Sequence, residues 1–158
     1  IGEKIMVWLS VAAAIFFADS GIKHWAEKKL SDKAVREVAG DRILLRRLHN
    51  SGMACSVGEK HPQAVKVGTL TLWGICFLGF CRLLKLPGKK LEKAAGACIL
   101  GGGASNMADR LTRGYVVDYF SFNVKWEKLR RLVFNISDLF ILGGTLLSLV
   151  GLLKRKDR

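Results

Sequence analysis

The amino-acid sequence predicts an all-α membrane protein with four transmembrane helices. Half of its 158 residues are apolar, although its formal net charge is +13. The charged residues form blocks that separate four uncharged apolar runs, at residues 5–18, 67–81, 94–108 and 139–153. A chain of this length forms one domain, so we expect a single integral membrane domain that covers residues 1–158.

The apolar runs are each about 15 residues long, which is shorter than the roughly 20 residues that span a bilayer. Such lengths also fit helices buried in a core. When the polar neighbours of each run are included, all four segments reach spanning length. Two short strands are expected in the first loop, near 42–48 and 53–57, joined near 50–52. The predicted spans are residues 5–25, 64–84, 91–112 and 132–153, with loops at 26–62 and 113–131.

The strong positive charge is also typical of proteins that bind nucleic acid. The segregation of the charges between apolar runs, and the lack of a zinc pattern or an aromatic RNA-binding motif, argue against that partner. No spacing of Cys and His suits a metal, and we expect no cofactor. The N-terminal run is interpreted as a retained span and not as a signal peptide, because Asp19 and Lys23 follow it directly without a convincing cleavage site.

An up-down arrangement of the spans brings the polar residues to one side of the membrane. The C-terminal ends of spans one and three and the N-terminal end of span four lie there, and the two longer loops add Asn50 and Asp118. Ionisable groups at the edge of a bilayer are costly unless they are paired or face water, so their cluster indicates a functional site. The residues at the span ends are Asp19, Lys23, Asn106, Asp109, Arg110, Asn135 and Asp138.

The distribution of basic residues favours cytoplasmic termini. The short connection 82–93 and the C-terminal tail are dense in Lys and Arg, as the positive-inside rule predicts for cytoplasmic segments. Both longer loops are basic as well, so the contrast between the two sides is small. We expect the two longer loops, and with them the polar cluster, on the extracytoplasmic side.

Two carboxylates held close together cannot both ionise at neutral pH. One retains a proton as an acid, while the other is a base that activates water against an amide carbonyl. Asn106 and Asp109 are three residues apart, as are Asn135 and Asp138, so on a helix each amide can orient its carboxylate. A structural interpretation of Asp138, as the cap of a helix start, stays open.

Other members of the cluster also have structural interpretations. Asp19 and Lys23 have the spacing of an ion pair within one helix. Arg110 either pairs with Asp109 or binds a lipid phosphate. The glycines 101–103 are typical of helices that pack closely in membranes.

Four motifs follow one another along the chain: ADSGIK at 18–23, HNSGMACS at 49–56, GGGASNMADRLTRGYVVDYF at 101–120 and FNISD at 134–138. Together they resemble the motifs of bacterial lipoprotein signal peptidase, also called signal peptidase II. In that family the patterns are Asp-x-x-x-Lys, Asn-x-Gly-Ala-Ala-Phe-Ser, a Gly-rich block with Asn-x-x-Asp-Arg and Gly-x-Val-Val-Asp-Phe, and Phe-Asn-x-Ala-Asp. The resemblance covers most of the chain.

The resemblance implies four transmembrane helices with a small extracytoplasmic β-rich platform, in the cytoplasmic (inner) membrane of a bacterium. It implies a pair of catalytic aspartates at the outer membrane edge, formed here by Asp118 and Asp138. The residues implied to line the substrate site are Asn50, Asn106, Arg110 and Asn135, and those implied to support the architecture are Asp19, Lys23 and Asp109.

The implied activity is that of an aspartic endopeptidase, which hydrolyses the peptide bond before the diacylglyceryl-modified cysteine of a prolipoprotein and so releases the signal peptide. The implied partners are these prolipoproteins, membrane lipid and the cyclic peptide inhibitor globomycin. A second class of function fits the same cluster, namely a non-enzymatic four-span protein that uses it as a proton or ion relay. A relay through the bundle would not need Asp118 in a loop.

The chain departs from the family patterns at several positions. Ser137 stands where Ala is usual, Leu132 where Pro is common, and Ser20 where Gln or Arg is frequent. Cys55 replaces an aromatic residue, and together with Met53 it alters the loop that is expected to face the substrate. None of these differences removes a carboxylate of the pair.

Overall fold

The computed structural model describes residues 2–52 and 57–156, and it is mostly helical. Three long helices are strongly apolar: α1 (Gly2–Lys29), α2 (Pro62–Lys85) and α5 (Ile136–Lys156). A fourth long helix, α3 (Lys90–Thr112), is less apolar. The smaller elements are the strands β1 (Arg36–Val38), β2 (Ile43–Asn50) and β3 (Val116–Phe122) and the short helix α4 (Glu127–Arg131).

Three helical segments are long and apolar enough to cross a membrane: Ile5–Lys29, Pro62–Lys85 and Ile136–Lys154. Most of their apolar side chains lie on the outside of the protein, since only 11% to 17% of the most apolar window of each is buried. Apolar helical surfaces of this length fit the hydrocarbon core of a bilayer. The chain is therefore a multi-pass membrane protein.

Helix α3 lies between the other three long helices. Consecutive residues of a helix point about 100° apart, and the glycines 101–103 each face a different neighbour. A Cβ added at each of the three would meet, in turn, Ala12 of α1, Ser137 of α5 and Trp73 of α2. The prediction that these glycines permit close helix packing is confirmed. Because α3 contacts other helices on several sides, it carries small and polar residues where the outer helices carry large apolar ones.

Each of the four predicted spans overlaps one long helix, and the bounds differ most for the first and the last. Predicted span 132–153 begins before its helix, because α5 starts only at Ile136. The preceding residue Phe134 instead forms an antiparallel bridge with Phe120 of β3. Helix α1 continues past the predicted end at residue 25 to Lys29, with Lys28 and Lys29 in its last turn, where positive charge is favourable.

The three strands form a small antiparallel sheet in the order β1-β2-β3. Strand β2 overlaps the strand predicted near 42–48, and among the described residues it forms a hairpin with β1, through a turn that precedes β2. That turn contains non-glycine residues with positive φ, Ala39 at 55° and Asp41 at 62°. Of the second predicted strand, 53–57, residues 53–56 lie outside the described residues and residue 57 is in a turn.

The sheet packs on the C-terminal turns of α1. Ala26 and Leu30 form a buried cluster with Val117, Tyr119 and Phe120 of β3. Residues 116–121 of β3 are all buried, so this strand is held between the sheet and the helices. A strand fixed in this way can hold a side chain in a defined position beside the helix ends.

Candidate active site at the helix ends

The bridge between β3 and the segment before α5 brings the two halves of the site together. Phe134 donates its backbone N–H to Phe120 at 2.7 Å and accepts from the Phe120 N–H at 3.0 Å. Neighbouring strands run in opposite directions at such a bridge, so Asp118 lies beside the residues that follow Phe134. These are Asn135 and the first turn of α5, which carries Asp138.

Asp118 is buried on β3 and accepts two hydrogen bonds from amides. Asn50 Nδ2 donates to Asp118 Oδ2 at 3.0 Å, and Asn135 Nδ2 donates to Asp118 Oδ1 at 2.7 Å. Asn50 is within reach because the register of β2 and β3 sets it opposite Val116. Burial, followed by the charge of Asp138, raises the pKa of Asp118 to about 7 despite the opposing effect of the two amides.

Asp138 lies in the first turn of α5 and exchanges hydrogen bonds with Asn135. The Asn135 N–H donates to Asp138 Oδ2 at 3.1 Å, and the Asp138 N–H donates to Asn135 Oδ1 at 3.0 Å. This reciprocal pair is a capping box in which Asn135 is the N-cap and Asp138 is the third residue of the helix. Asp138 therefore takes part in capping but is not itself the N-cap. This capping role does not exclude a role in catalysis, because it uses Asp138 Oδ2 only. The other oxygen, Oδ1, accepts from Asn106 Nδ2 at 3.0 Å.

Each of the two side-chain NH₂ groups therefore donates to an aspartate on a different element of the structure. The spacing predicted that Asn106 orients Asp109 and that the amide of Asn135 orients Asp138. In the structure the amide of Asn106 bonds to Asp138, and that of Asn135 bonds to Asp118. Helical spacing gave the right pair for Asn135 and Asp138, which the backbone N–H of Asn135 joins. It gave the wrong partners for the two side-chain NH₂ groups, because those are set by the packing of α3 on α5 and of α5 on β3.

A cavity of about 480 Å³ opens beside the two aspartates. Asn135 is fully buried and lies behind this surface. Met53 and Cys55, in the loop expected to face a substrate, are outside the described residues. The polar residues that line the cavity are Asn50, Asn106, Arg110, Asp118, Arg131, Asp138 and Thr145, and the apolar ones are Leu48, Val116, Leu132, Val133, Phe134, Leu139, Ile141 and Leu142.

Arg110 enters the cavity wall from α3, and two of its three nitrogen atoms donate hydrogen bonds to backbone oxygens. Its Nη2 donates to the backbone oxygen of Gly52 at 2.7 Å, and Nη1 donates to that of Asn106 at 3.4 Å. Its buried Nε has no partner among the described groups. Asp109, the predicted alternative partner of Arg110, forms its ion pair on α3 with Arg113 instead, at 3.1 Å.

A second group of charges lies deeper between the helices, and we call Asp19, Lys23 and Asp109 the inner cluster. The Lys23 ammonium is 2.9 Å from Asp19 and 3.2 Å from Asp109, with 1% of its side chain exposed. The predicted Asp19–Lys23 ion pair is confirmed. Lys23 also donates to Asn106 Oδ1 at 2.7 Å, and this contact fixes the Asn106 amide so that its nitrogen faces Asp138.

Three hydroxyl groups that sequence reasoning missed donate to Asp19. They belong to Ser105, Tyr119 and Ser137, at 2.6, 2.9 and 2.6 Å. The available signal was their place in the motifs, since Ser105 adjoins Asn106 and the other two adjoin the aspartates of the pair. That signal identifies no partner by itself, because Asp19 is about 100 residues away from two of them.

The arrangement provides two carboxylates on one cavity, each held by amides. Among the described residues, the hydrogen bonds to Asp118 and Asp138 come from amide donors, and the raised pKa of Asp118 lets this carboxyl hold a proton near neutral pH. Within residues 2–52 and 57–156, no group of three or more His, Cys, Asp or Glu side chains could hold a metal ion.

Comparison with known proteins gives concordant matches. A family model described as signal peptidase (SPase) II matches residues 11–154. The lipoprotein signal peptidase of Caldicellulosiruptor bescii is 32% identical over 142 residues, covering 90% of this chain and 87% of the relative. That of Vibrio parahaemolyticus is 30% identical over 165 residues, covering 95% and 89%.

The fold also resembles a solved structure. A bacterial membrane enzyme determined by the in meso method at 2.3 Å resolution superimposes with a TM-score of 0.79 over 99% of this chain and 90% of that one. At 20% sequence identity, this likeness concerns the fold.

Proposed function

The chain belongs to the signal peptidase II family, and from that premise we propose that it is an aspartic endopeptidase that removes the signal peptide from diacylglyceryl-modified prolipoproteins. Cleavage falls before the lipidated cysteine. The observation that carries the aspartic assignment is the pair Asp118 and Asp138, which lines one cavity and is bonded to both sides of Asn135.

In the proposed reaction the two carboxyl groups share one proton. The ionised carboxylate takes a proton from a water molecule while the water oxygen attacks the carbonyl carbon of the scissile amide. The protonated carboxyl then gives its proton to the amide nitrogen as the C–N bond breaks. The raised pKa of Asp118, about 7, supports this assignment, because a carboxyl with an ordinary pKa would have lost its proton.

The remaining residues of the site divide into substrate contacts and supports. Arg110 lines the cavity, and its permanently charged guanidinium group suits an oxygen of the substrate. Asn50 and Asn106 also line the cavity, and each of their amides holds one carboxylate, so we assign them both to the substrate site and to orientation of the pair. Asn135 lies behind the cavity surface and supports the site through its hydrogen bonds to the two aspartates.

The apolar wall of the cavity supports a lipidated substrate. Leu139, Ile141 and Leu142 follow Asp138 on α5 and extend the cavity along an outer, membrane-length helix. Acyl chains next to the reacting cysteine would stay in contact with apolar side chains and with membrane lipid. The same wall would accept an apolar cyclic peptide, so we propose that globomycin competes with substrate here.

We place the protein in the bacterial cytoplasmic (inner) membrane as one domain with four spans. Helix α3 is the fourth, because its 23 residues extend about 35 Å and it packs among three membrane-length helices. The cavity and sheet then belong to the extracytoplasmic side. The dense Lys and Arg residues of the α2–α3 connection support the opposite, cytoplasmic location for that end of the bundle.

The family matches do not favour the alternative of a non-enzymatic ion or proton relay. A relay needs titratable groups along a path through the bundle. Asp118 lies instead on β3, outside the long helices.

Replacement of either aspartate by Asn tests the proposal. In a gel-shift assay on a diacylglyceryl-modified precursor, Asp118→Asn and Asp138→Asn are each expected to lower the cleavage rate at least about a thousandfold, because a pair with one carboxyl cannot act as both acid and base. Globomycin should inhibit cleavage by the unaltered protein.

Asp41→Asn is the matched control. Asp41 is exposed in the β1–β2 turn with positive φ, a conformation that Asn adopts readily, so this variant is expected to keep the wild-type rate. Retention of more than about a tenth of the wild-type rate by Asp118→Asn or Asp138→Asn would contradict the aspartic mechanism.

A further inference from the structure

The residues that adjoin the two aspartates in sequence both donate to the same buried carboxylate. Tyr119 follows Asp118 and donates its hydroxyl to Asp19 Oδ1 at 2.9 Å. Ser137 precedes Asp138 and donates its hydroxyl to Asp19 Oδ2 at 2.6 Å. Asp19 thereby connects β3, which carries one aspartate of the pair, to α5, which carries the other.

The Tyr119 hydroxyl makes a second bond that tightens this connection. It accepts the backbone N–H of Ile136 at 2.9 Å, one of the N–H groups that the first turn of a helix leaves without a partner. Burial, followed by the charge of Asp19, raises the pKa of Tyr119 far above its ordinary value, so the hydroxyl keeps its proton and stays a donor. One hydroxyl therefore joins α1, β3 and the start of α5.

Anchoring a neighbour fixes the direction of each carboxylate. Successive side chains of a strand point to opposite faces, so a bond from Tyr119 to α1 turns Asp118 toward the cavity. Successive side chains of a helix are about 100° apart, so the bond from Ser137 sets the rotation of the first turn of α5 and with it Asp138. Tyr119 and Ser137 are both buried behind the cavity surface, 4% and 0% exposed.

We propose that Tyr119 and Ser137 are positioning residues that hold the two aspartates in register for proton sharing, through their common bonds to Asp19. The inference rests on the proposed function, because it assigns a role within that reaction. The family patterns that the sequence resembles have Phe and Ala at these positions. The two hydroxyls are therefore departures of this chain from those patterns.

Two substitutions test the roles, Tyr119→Phe and Ser137→Ala. Each removes one hydroxyl and introduces the residue of the family pattern, so both variants are expected to fold. With purified protein in detergent micelles and a diacylglyceryl-modified precursor peptide, kcat is expected to fall about tenfold in each, with KM within about twofold of wild type. KM is expected to change little because the residues that form the cavity surface stay unchanged. A role limited to stability would lower the unfolding temperature and leave the kcat of folded molecules unchanged.

Tyr115→Phe and Ser121→Ala are the matched controls. The Tyr115 hydroxyl lies 3.4 Å from Glu27, away from the pair. Ser121 is fully buried on β3, and its hydroxyl has no partner among the described groups. Both controls are expected to keep the wild-type kcat. A loss in the controls equal to that in Tyr119→Phe and Ser137→Ala would overturn the positioning roles.

The outcomes separate this inference from the proposed function. Cleavage by the wild type with unchanged kcat in both test variants overturns the positioning roles and leaves the proposed function intact. Absence of cleavage by the wild type overturns the proposed function itself. If Tyr119→Phe fails to fold, Ser137→Ala decides alone, because it removes one oxygen atom and adds no bulk. In the double variant, a loss smaller than the product of the single losses supports joint action through Asp19, and a loss equal to the product refutes it.

Discussion

Two groups of aspartates lie side by side at one end of this helix bundle and differ in their partners. In the inner cluster, Asp19 and Asp109 both contact the ammonium of Lys23, at 2.9 and 3.2 Å. In the other pair, Asp118 and Asp138 receive hydrogen bonds from amides. A buried cation neutralises a carboxylate and fixes its charge. An amide orients a carboxylate without compensating the charge, so the pair is free to hold a proton.

The difference in partners predicts a difference in what each group does. Loss of Lys23 from the inner cluster leaves a buried carboxylate without a cation, and the fold is destabilised. Loss of a carboxyl group from the pair leaves no buried cation unpaired, so the reaction is expected to stop while the fold persists. The two groups also contact each other through Asn106, which accepts from Lys23 and donates to Asp138. Stability and activity must therefore be measured separately in every variant.

The largest effect on stability is expected for Lys23→Met. The change shortens the side chain by only one atom but leaves Asp19 buried without a cation and Asp109 with Arg113 alone. The free energy of unfolding is expected to fall by about 3 to 5 kcal/mol, measured by thermal or denaturant unfolding in detergent followed by circular dichroism. Lys28→Met, at an exposed position of the same helix, is the control and should change stability by less than about 0.5 kcal/mol. Equal stability of the two variants would remove the basis for the comparison.

The pH dependence of stability is the next largest effect, and it belongs to the pair. The pKa of Asp118 is raised from 3.8 to about 7 in the folded protein, by burial and then by Asp138. The folded state therefore binds more protons than the unfolded state between these values, so the contribution of Asp118 is fully present below about pH 4 and lost as the pH rises through about 7. Between about pH 5 and pH 8, stability should fall by roughly 2 to 3 kcal/mol from this group.

Asp118→Asn supplies the reference for that measurement, because its amide does not titrate. Its unfolding free energy should change less than that of the wild type over the same pH range, and parallel curves would show that Asp118 is ionised throughout. Activity offers a second readout. Above about pH 7 the form of the pair with one proton is depleted, so kcat/KM is expected to fall about tenfold per pH unit.

The fold was largely predictable because apolar runs separated by charge blocks determine membrane helices. The exceptions have physical causes. Helix α3 lies between other helices, so its residues are small and its apolar signal is weak. The start of α5 was misplaced because Phe134, apolar like the span that follows, bonds to β3 as an extended residue. Strand β1 was missed because its turn uses Ala39 and Asp41 at positive φ without the usual Asn-Gly signal.

The sequence predicted which side chains come together at the candidate site, but it did not predict their contacts. The motifs supplied Asp118 and Asp138, and the i,i+4 spacing supplied the ion pair of Asp19 and Lys23. The bond from the Asn135 side chain to Asp118 depends on the register between β3 and the residues before α5. No spacing along the chain encodes that register. For the same reason, the place of Tyr119 in a motif did not identify its partner, because Asp19 is 100 residues away along the chain.

Asp109→Asn gives the smallest effect and the sharpest test of the division between the two groups. Asp109 Oδ2 accepts the N–H of Val117 at 3.1 Å, a bond that the Asn oxygen can retain, and Lys23 keeps Asp19 as its partner. The ion pair lost with Arg113 is partly exposed and contributes little. Stability should fall by about 1 to 2 kcal/mol, with kcat per folded molecule within about twofold of wild type.

Glu127→Gln is the control for Asp109→Asn, because Glu127 pairs with Arg131 on the surface of α4 and its loss should change stability by less than about 0.5 kcal/mol. Full stability of Asp109→Asn combined with loss of cleavage would mean that Asp109 takes part in the reaction. The partner of a carboxylate would then fail to predict its role, because an aspartate bound to a buried ammonium would be as essential to the chemistry as one held by amides.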